Sequence, residues 1–144
     1  MVDPRTVALT PSPIRKDWIL EGNPETSSAE IARTNDGSTQ VFVWRTTKSR
    51  FNWFYDFDEV VSVLDGEMFL IDGANAPSGK PERRIGPGDV VFFPAGSTAT
   101  WRVPDHVRKI ATMRHPLPGP IDSLFRLAKV VKSWVTPTSA MAAL

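Results

Sequence analysis

Residues 59–71 read EVVSVLDGEMFLI, and residues 86–96 read GPGDVVFFPAG. Each couples a short β-branched and aromatic run to a tight turn. In the first, Glu59 to Leu64 forms a predicted strand, Asp65-Gly66 a predicted hairpin turn, and Glu67 to Ile71 the returning strand, because Asp-Gly between apolar runs is a strong hairpin signal. In the second, Gly86-Pro87-Gly88-Asp89 turns into Val90-Val91-Phe92-Phe93, and Pro94-Ala95-Gly96 turns out of it. Working outward, the same grammar repeats. Gln40 to Thr46 and Phe51 to Tyr55 read as strands, as do Thr98 to Val103 and His106 to Met113, while Asp72 to Pro81 is a loop. Short strands at this spacing, each closed by turn residues, indicate an antiparallel barrel or sandwich.

The flanks differ. Pro4, Pro11, Pro13 and Pro24 interrupt any long helix near the start, so residues 1–30 are expected to form an N-terminal arm, followed by a barrel over residues 31–116. The tail, residues 117–144, changes period. Apolar residues at 124, 127, 128, 131, 134 and 135 predict a C-terminal amphipathic helix, capped by Asp122 or Ser123 and closed by Pro137.

Composition narrows the chemistry. The 144-residue chain has no cysteine and two histidines, His106 and His115. Disulfides, cysteine-based metal sites and thiol nucleophiles are excluded, and so is a three-histidine metal site within one subunit. Lys+Arg 17 against Asp+Glu 16 leaves a net charge of +1, which gives no electrostatic case for nucleic acid. No apolar run reaches the ~18–20 residues of a membrane span, and the opening residues lack the apolar core of a secretory signal. A cytoplasmic protein without nucleic-acid or membrane partners is expected. Thirteen prolines and nine glycines fit a turn-rich β architecture.

The two stretches carry a resemblance. Glu59 is followed after six residues by Gly66, and Gly88 after five by Pro94-Ala95-Gly96. These half-motifs, in this order, resemble those of the cupin superfamily of small β-barrels. Trp18-Ile19-Leu20-Glu21-Gly22, Phe51-Asn52-Trp53, Tyr55 to Glu59, Trp101-Arg102-Val103 and Val107-Arg108-Lys109 are similar to landmarks of one subgroup. That subgroup contains the (S)-ureidoglycine aminohydrolase domain and the ethanolamine-utilisation cupin. The resemblance implies an all-β fold, a small antiparallel cupin (jelly-roll) β-barrel between the arm and the helix. It also implies pairing into a homodimer.

In cupins that hold a divalent metal, three or four side chains from these motifs bind it. Here two of the histidine slots fall on Trp53 and Tyr55, and the slot in the second motif falls on Ala99. Trp and Ala offer no ligand atom, and a phenol must first lose a proton of pKa about 10. Only Glu59 remains a good ligand, so no metal and no other cofactor is expected. In the family register Trp53, Tyr55, Glu59, Ala99 and Trp101 line the lumen, with Tyr55, Lys109 or Arg108 available to pair with Glu59. Two tryptophans facing one another could sandwich a planar ligand.

Three functions fit these residues. The barrel could bind a small organic molecule through Trp53, Tyr55, Glu59, Ala99, Trp101 and Lys109. It could be a metal-independent lyase, isomerase or hydrolase with Tyr55 and Glu59 as catalytic acid and base. It could be a structural or regulatory dimer whose aromatics fill the interior. The first two require a lumen cavity of roughly 300 Å³ or more; the third requires none. His106 and His115, beside turns, are expected at the surface, and the Asp56/Asp58 pair is expected to serve a turn.

Overall fold

The computed structural model describes residues 1–77 and 79–116. The helix expected within residues 117–144 lies outside the described residues. Among the described residues nine strands run in chain order: β1 (Thr10–Pro11), β2 (Ile19–Glu21), β3 (Ser27–Arg33), β4 (Thr39–Phe54), β5 (Asp58–Gly66), β6 (Met68–Asp72), β7 (Arg83–Ile85), β8 (Val90–Phe93) and β9 (Thr98–Arg114). All pairings are antiparallel. Among the described residues no helix is long and apolar enough to cross a membrane.

Two long strands organise the barrel. β4 and β9 pair along their whole length, from Thr39↔Arg114 to Phe54↔Thr98. One half of this ribbon carries β3 on one side and β5 then β8 on the other. The second half carries β2 on one side and β6 then β7 on the other. The expected strands 40–46 and 51–55 are therefore one strand, and so are 98–103 and 106–113. Pro104-Asp105 does not end β9. These two residues face the single Lys48 of β4 in a bulge between the Thr47↔His106 and Ser49↔Val103 pairs. A bulge is where a strand tolerates proline and bends sharply, so the ribbon passes from one sheet to the other there.

The bulge also changes which β4 residues face inward. Before it Phe42 and Trp44 point into the lumen, and after it Phe51 and Trp53 do. One residue of β4 faces two of β9 there, so the two strands cannot both keep their alternation across the bulge, and it is β4 that changes face. On β9 two residues intervene, so Ala99, Trp101, Val103, Val107, Lys109 and Ala111 share one buried parity.

Asp65-Gly66 is not a hairpin turn. β5 and β6 do not pair; both lie along β9, β5 against its second half and β6 against its first. Gly66 bends the chain at φ +73° without reversing it, and a Cβ there would collide with the His106 carbonyl oxygen. Glu67 N–H donates to that same oxygen at 3.2 Å. The Asp-Gly pair thus supplies the corner of a continuous strand, at the level of the β9 bulge.

Residues 1–30 hold more order than the word arm suggests. Residue 30 falls within β3, which pairs with β4 from Ser27↔Arg45 to Arg33↔Gln40. Before that, Arg108 donates from Nε to the Pro4 carbonyl and from Nη2 to the Val7 carbonyl, both at 2.9 Å, tying the first residues to the outside of β9. On the outer face of β5 and β8, Val60, Val90 and Phe92 remain exposed.

Candidate functional site

The interior has two ends of different character. At one end, Tyr55 and Phe93 stack with centroids 4.2 Å apart and planes 2° apart, and Phe93 meets Trp101 edge-on at 5.5 Å. Trp101 Nε1 donates to the Tyr55 hydroxyl at 3.0 Å. Tyr55 and Trp101 are 3% and 1% exposed. Burial, reinforced by the nearby Glu59 charge, pushes the Tyr55 phenol up from its ordinary value. Met68, Leu70 and Ile85 pack into the same core. This end is filled.

At the other end lies a half-open pocket of about 190 Å³, lined by Phe42, Trp44, Trp53, Glu59, Lys109 and Met113, with Ala111 on the wall and Ser12 and Ser28 also lining it. Strand register builds it. Ser28, Trp44 and Lys109 stand opposite one another on β3, β4 and β9; Phe42 pairs with Ala111; Met113 pairs with Glu59 on β5. Trp53 comes from the far half of β4 and closes the pocket from the opposing sheet, its ring edge-on to Trp44 at 5.9 Å.

Lys109 Nζ reaches Glu59 Oε1 at 3.3 Å, and both side chains are buried, at 6% and 7% exposure. The ammonium lies 4.9 Å from the centre of the Trp44 ring and 6.0 Å from that of Trp53. Such placement lets the ring faces share in stabilising the cation. No other hydrogen bond joins either group among the described residues. The second carboxylate oxygen makes no hydrogen bond among the described residues, and Glu59 is one of the residues lining the pocket.

The sequence-predicted residues therefore divide. Trp53, Glu59 and Lys109 come together around the pocket. Tyr55, Ala99 and Trp101 are not among its lining residues; they belong to the filled end. Trp53 and Trp101 do not face one another across a slot, because Trp53 packs against Trp18, Trp44 and Phe51 while Trp101 packs against Phe93. Phe42, Trp44 and Met113 were not expected. Phe42 and Trp44 have the opposite parity to Trp53, so a single alternation through β4 cannot select both sets. Pro104 inside a strand-like run is the sequence signal of the bulge that reconciles them.

The remaining polar groups are structural. Asp58 accepts from Ala95 N–H at 2.9 Å and so holds the Pro94-Ala95-Gly96 turn. His106 sits in the open between Asp105 and Asp65, at 2.7 and 2.9 Å. Hydrogen bonds to these two carboxylates raise its pKa above the ordinary 6.5. Asn52, Asn75 and Thr100 interlock on the outer face and pin the loop after β6.

A bent antiparallel barrel with the Glu59…Gly66 and Gly88…Pro94…Gly96 segments on neighbouring strands defines a cupin. Residues 33–111, more than half of the chain, match the family model described as the EutQ-like cupin domain, and the chain belongs to that family. Among solved structures it is similar to a putative ethanolamine utilization protein, EutQ, from Salmonella typhimurium: TM-score 0.52, 23% identity, 62% of this chain and 69% of that one. The EutQ protein of Clostridium difficile gives TM-score 0.52 at 19% identity over 72% of this chain and 80% of that one. A protein of unknown function of the DUF861 family from Pseudomonas syringae pv. tomato gives TM-score 0.66 at 20% identity, over 78% of this chain and 46% of that one. At these identities the likeness concerns the fold. No curated protein matches the chain.

The divalent metal held by many cupins does not fit this donor set. Trp53 and Ala99 carry no ligand atom, the Tyr55 hydroxyl is taken up by Trp101, and Glu59 is engaged by an ammonium. Among the described residues no group of three or more His, Asp or Glu side chains is placed to hold a metal ion.

Proposed function

We propose that this cupin domain binds a small organic molecule in the pocket above the Glu59–Lys109 pair. The observation that carries the reading is the pair itself. A buried ion pair is often no more stabilising than well-packed apolar residues in its place, and here both partners line a part of the described interior that aromatic packing leaves open. The pocket, about 190 Å³, falls short of the roughly 300 Å³ expected from the sequence for a ligand-binding barrel; that expectation is corrected, and the space limits a ligand to about the size of a single ring. The enzymatic alternative, with Tyr55 and Glu59 as acid and base, gains nothing from the geometry, since the Tyr55 hydroxyl is committed to Trp101 within the packed end.

The test is a fragment screen read by the indole N–H resonances of the five tryptophans. Binding at this site moves the Trp44 and Trp53 signals and leaves Trp101 in place. A screen in which no fragment moves Trp44 or Trp53, or in which Trp101 responds first, overturns the reading.

A further inference from the structure

The charge balance inside the pocket points to the chemical class of its ligand. Resting on the pocket being a ligand site, we infer that it selects a neutral molecule whose polar end sets a hydrogen-bond donor beside an acceptor, as a carboxamide does, on a flat apolar body.

Glu59 and Lys109 neutralise each other at 3.3 Å, so the described lining residues contribute no net charge. Each partner still has unused capacity. An ammonium has three N–H donors; Lys109 spends one on Glu59, no other acceptor takes the remaining two among the described residues, and the residue lines the pocket beside the Trp44 and Trp53 rings. The second oxygen of Glu59 accepts nothing among the described residues. A ligand that donates to this oxygen and accepts from Nζ completes both groups without disturbing their pairing. A carboxylate ligand would compete with Glu59 for the same ammonium and set two anions side by side. A cationic ligand would compete with Lys109 for the same carboxylate. In either case one buried charge loses its compensation, and that is costly where, apart from the Ser12 and Ser28 hydroxyls, the lining is indole, phenyl, methyl and thioether. Phe42, Trp44, Trp53 and Met113 supply the apolar walls.

Benzamide, benzoate and benzylamine share one ring and differ in the charge of the head group. Titrated into the full-length protein and followed at the Trp44 and Trp53 indole signals, benzamide is expected to bind at least tenfold more tightly than the other two. Glu59→Gln leaves the ammonium uncompensated and should turn the preference to benzoate by a similar factor. Lys109→Met leaves the carboxylate and should turn it to benzylamine. If either charged probe binds the unaltered protein as tightly as benzamide, the inference is overturned while the pocket reading stands. The same follows if other fragments shift Trp44 and Trp53 and no carboxamide does. If nothing shifts those two signals, both fall together. Should a variant fail to fold, the ranking of the three probes on the unaltered protein decides by itself.

Discussion

The Tyr55–Phe93–Trp101 end and the Trp44–Trp53 end of this barrel draw on the same kinds of side chain and reach opposite results. In the first, rings stack and meet edge-on, and an indole nitrogen donates to a phenol oxygen within the packing. In the second, the rings stand at steep angles around a carboxylate and an ammonium, and the space between them stays open. An aromatic-rich interior is therefore not by itself a binding site. What separates the two ends is whether the polar groups are enclosed by the packing, as Tyr55 and Trp101 are, or line open space, as Glu59 and Lys109 do.

This contrast can be broken at measurable places. The largest effect is expected at the filled end. Trp101→Ala removes a fully buried indole and orphans the packing of Phe93, and should cost about 3–5 kcal/mol of unfolding free energy by denaturant titration. At the open end, Lys109→Met strands Glu59 beside aromatic surface and should cost about 3 kcal/mol, most of which the double variant Glu59→Leu/Lys109→Met should restore. A double variant as unstable as the single one would mean that the pair contributes more than mutual compensation. Tyr55→Phe leaves Trp101 Nε1 without its acceptor and should cost about 1–3 kcal/mol, while leaving binding at the pocket unchanged. Loss of binding in this variant would join the two ends into one site.

The smallest effect concerns the corner between the sheets. His106 holds its proton more tightly in the folded protein than in the unfolded chain, because of Asp105 and Asp65. Its contribution is therefore complete below pH 6.5, the ordinary value, and is lost as the pH rises through the raised folded value. His106→Gln should flatten the fall in melting temperature over that window, and an unchanged pH profile would remove the histidine from the account.

Much of the fold was legible because turn chemistry is local. Gly86-Pro87-Gly88-Asp89 closes as expected, with Gly86 N–H donating to the Asp89 carboxylate at 2.8 Å, whereas the sequence leaves Tyr55, Lys109 and Arg108 all open as partners of Glu59 and the strand register brings Lys109 to it. What escaped depends on information that no short window holds. Asp65-Gly66 has the local signature of a hairpin, yet it becomes a corner because β9 is long enough to pair with the strand on both sides of it. Arg83 to Ile85 is too polar and short to announce β7, which exists by pairing with β6. Phe42 and Trp44 were overlooked because the bulge opposite Pro104-Asp105 inverts the inward face of β4 midway. The division between a filled and an open end lies further still from the sequence, since it depends on ring orientations that residue type does not specify.

The ribbon of β4 and β9 has a last consequence, for the way the chain folds. Even its nearest pair, Phe54 and Thr98, forms only after the whole excursion through β5, β6, β7 and β8 has been gathered in, and its farthest joins Thr39 to Arg114. Contacts this distant along the chain carry a heavy loop-closure entropy before any reward, so folding is slow for the domain's size. Because both sheets share these two strands, neither sheet can assemble ahead of the other as an independent unit. The filled end, rich in burial and free of charge, is positioned to drive that joint step, and the open end with its ion pair is carried along by it.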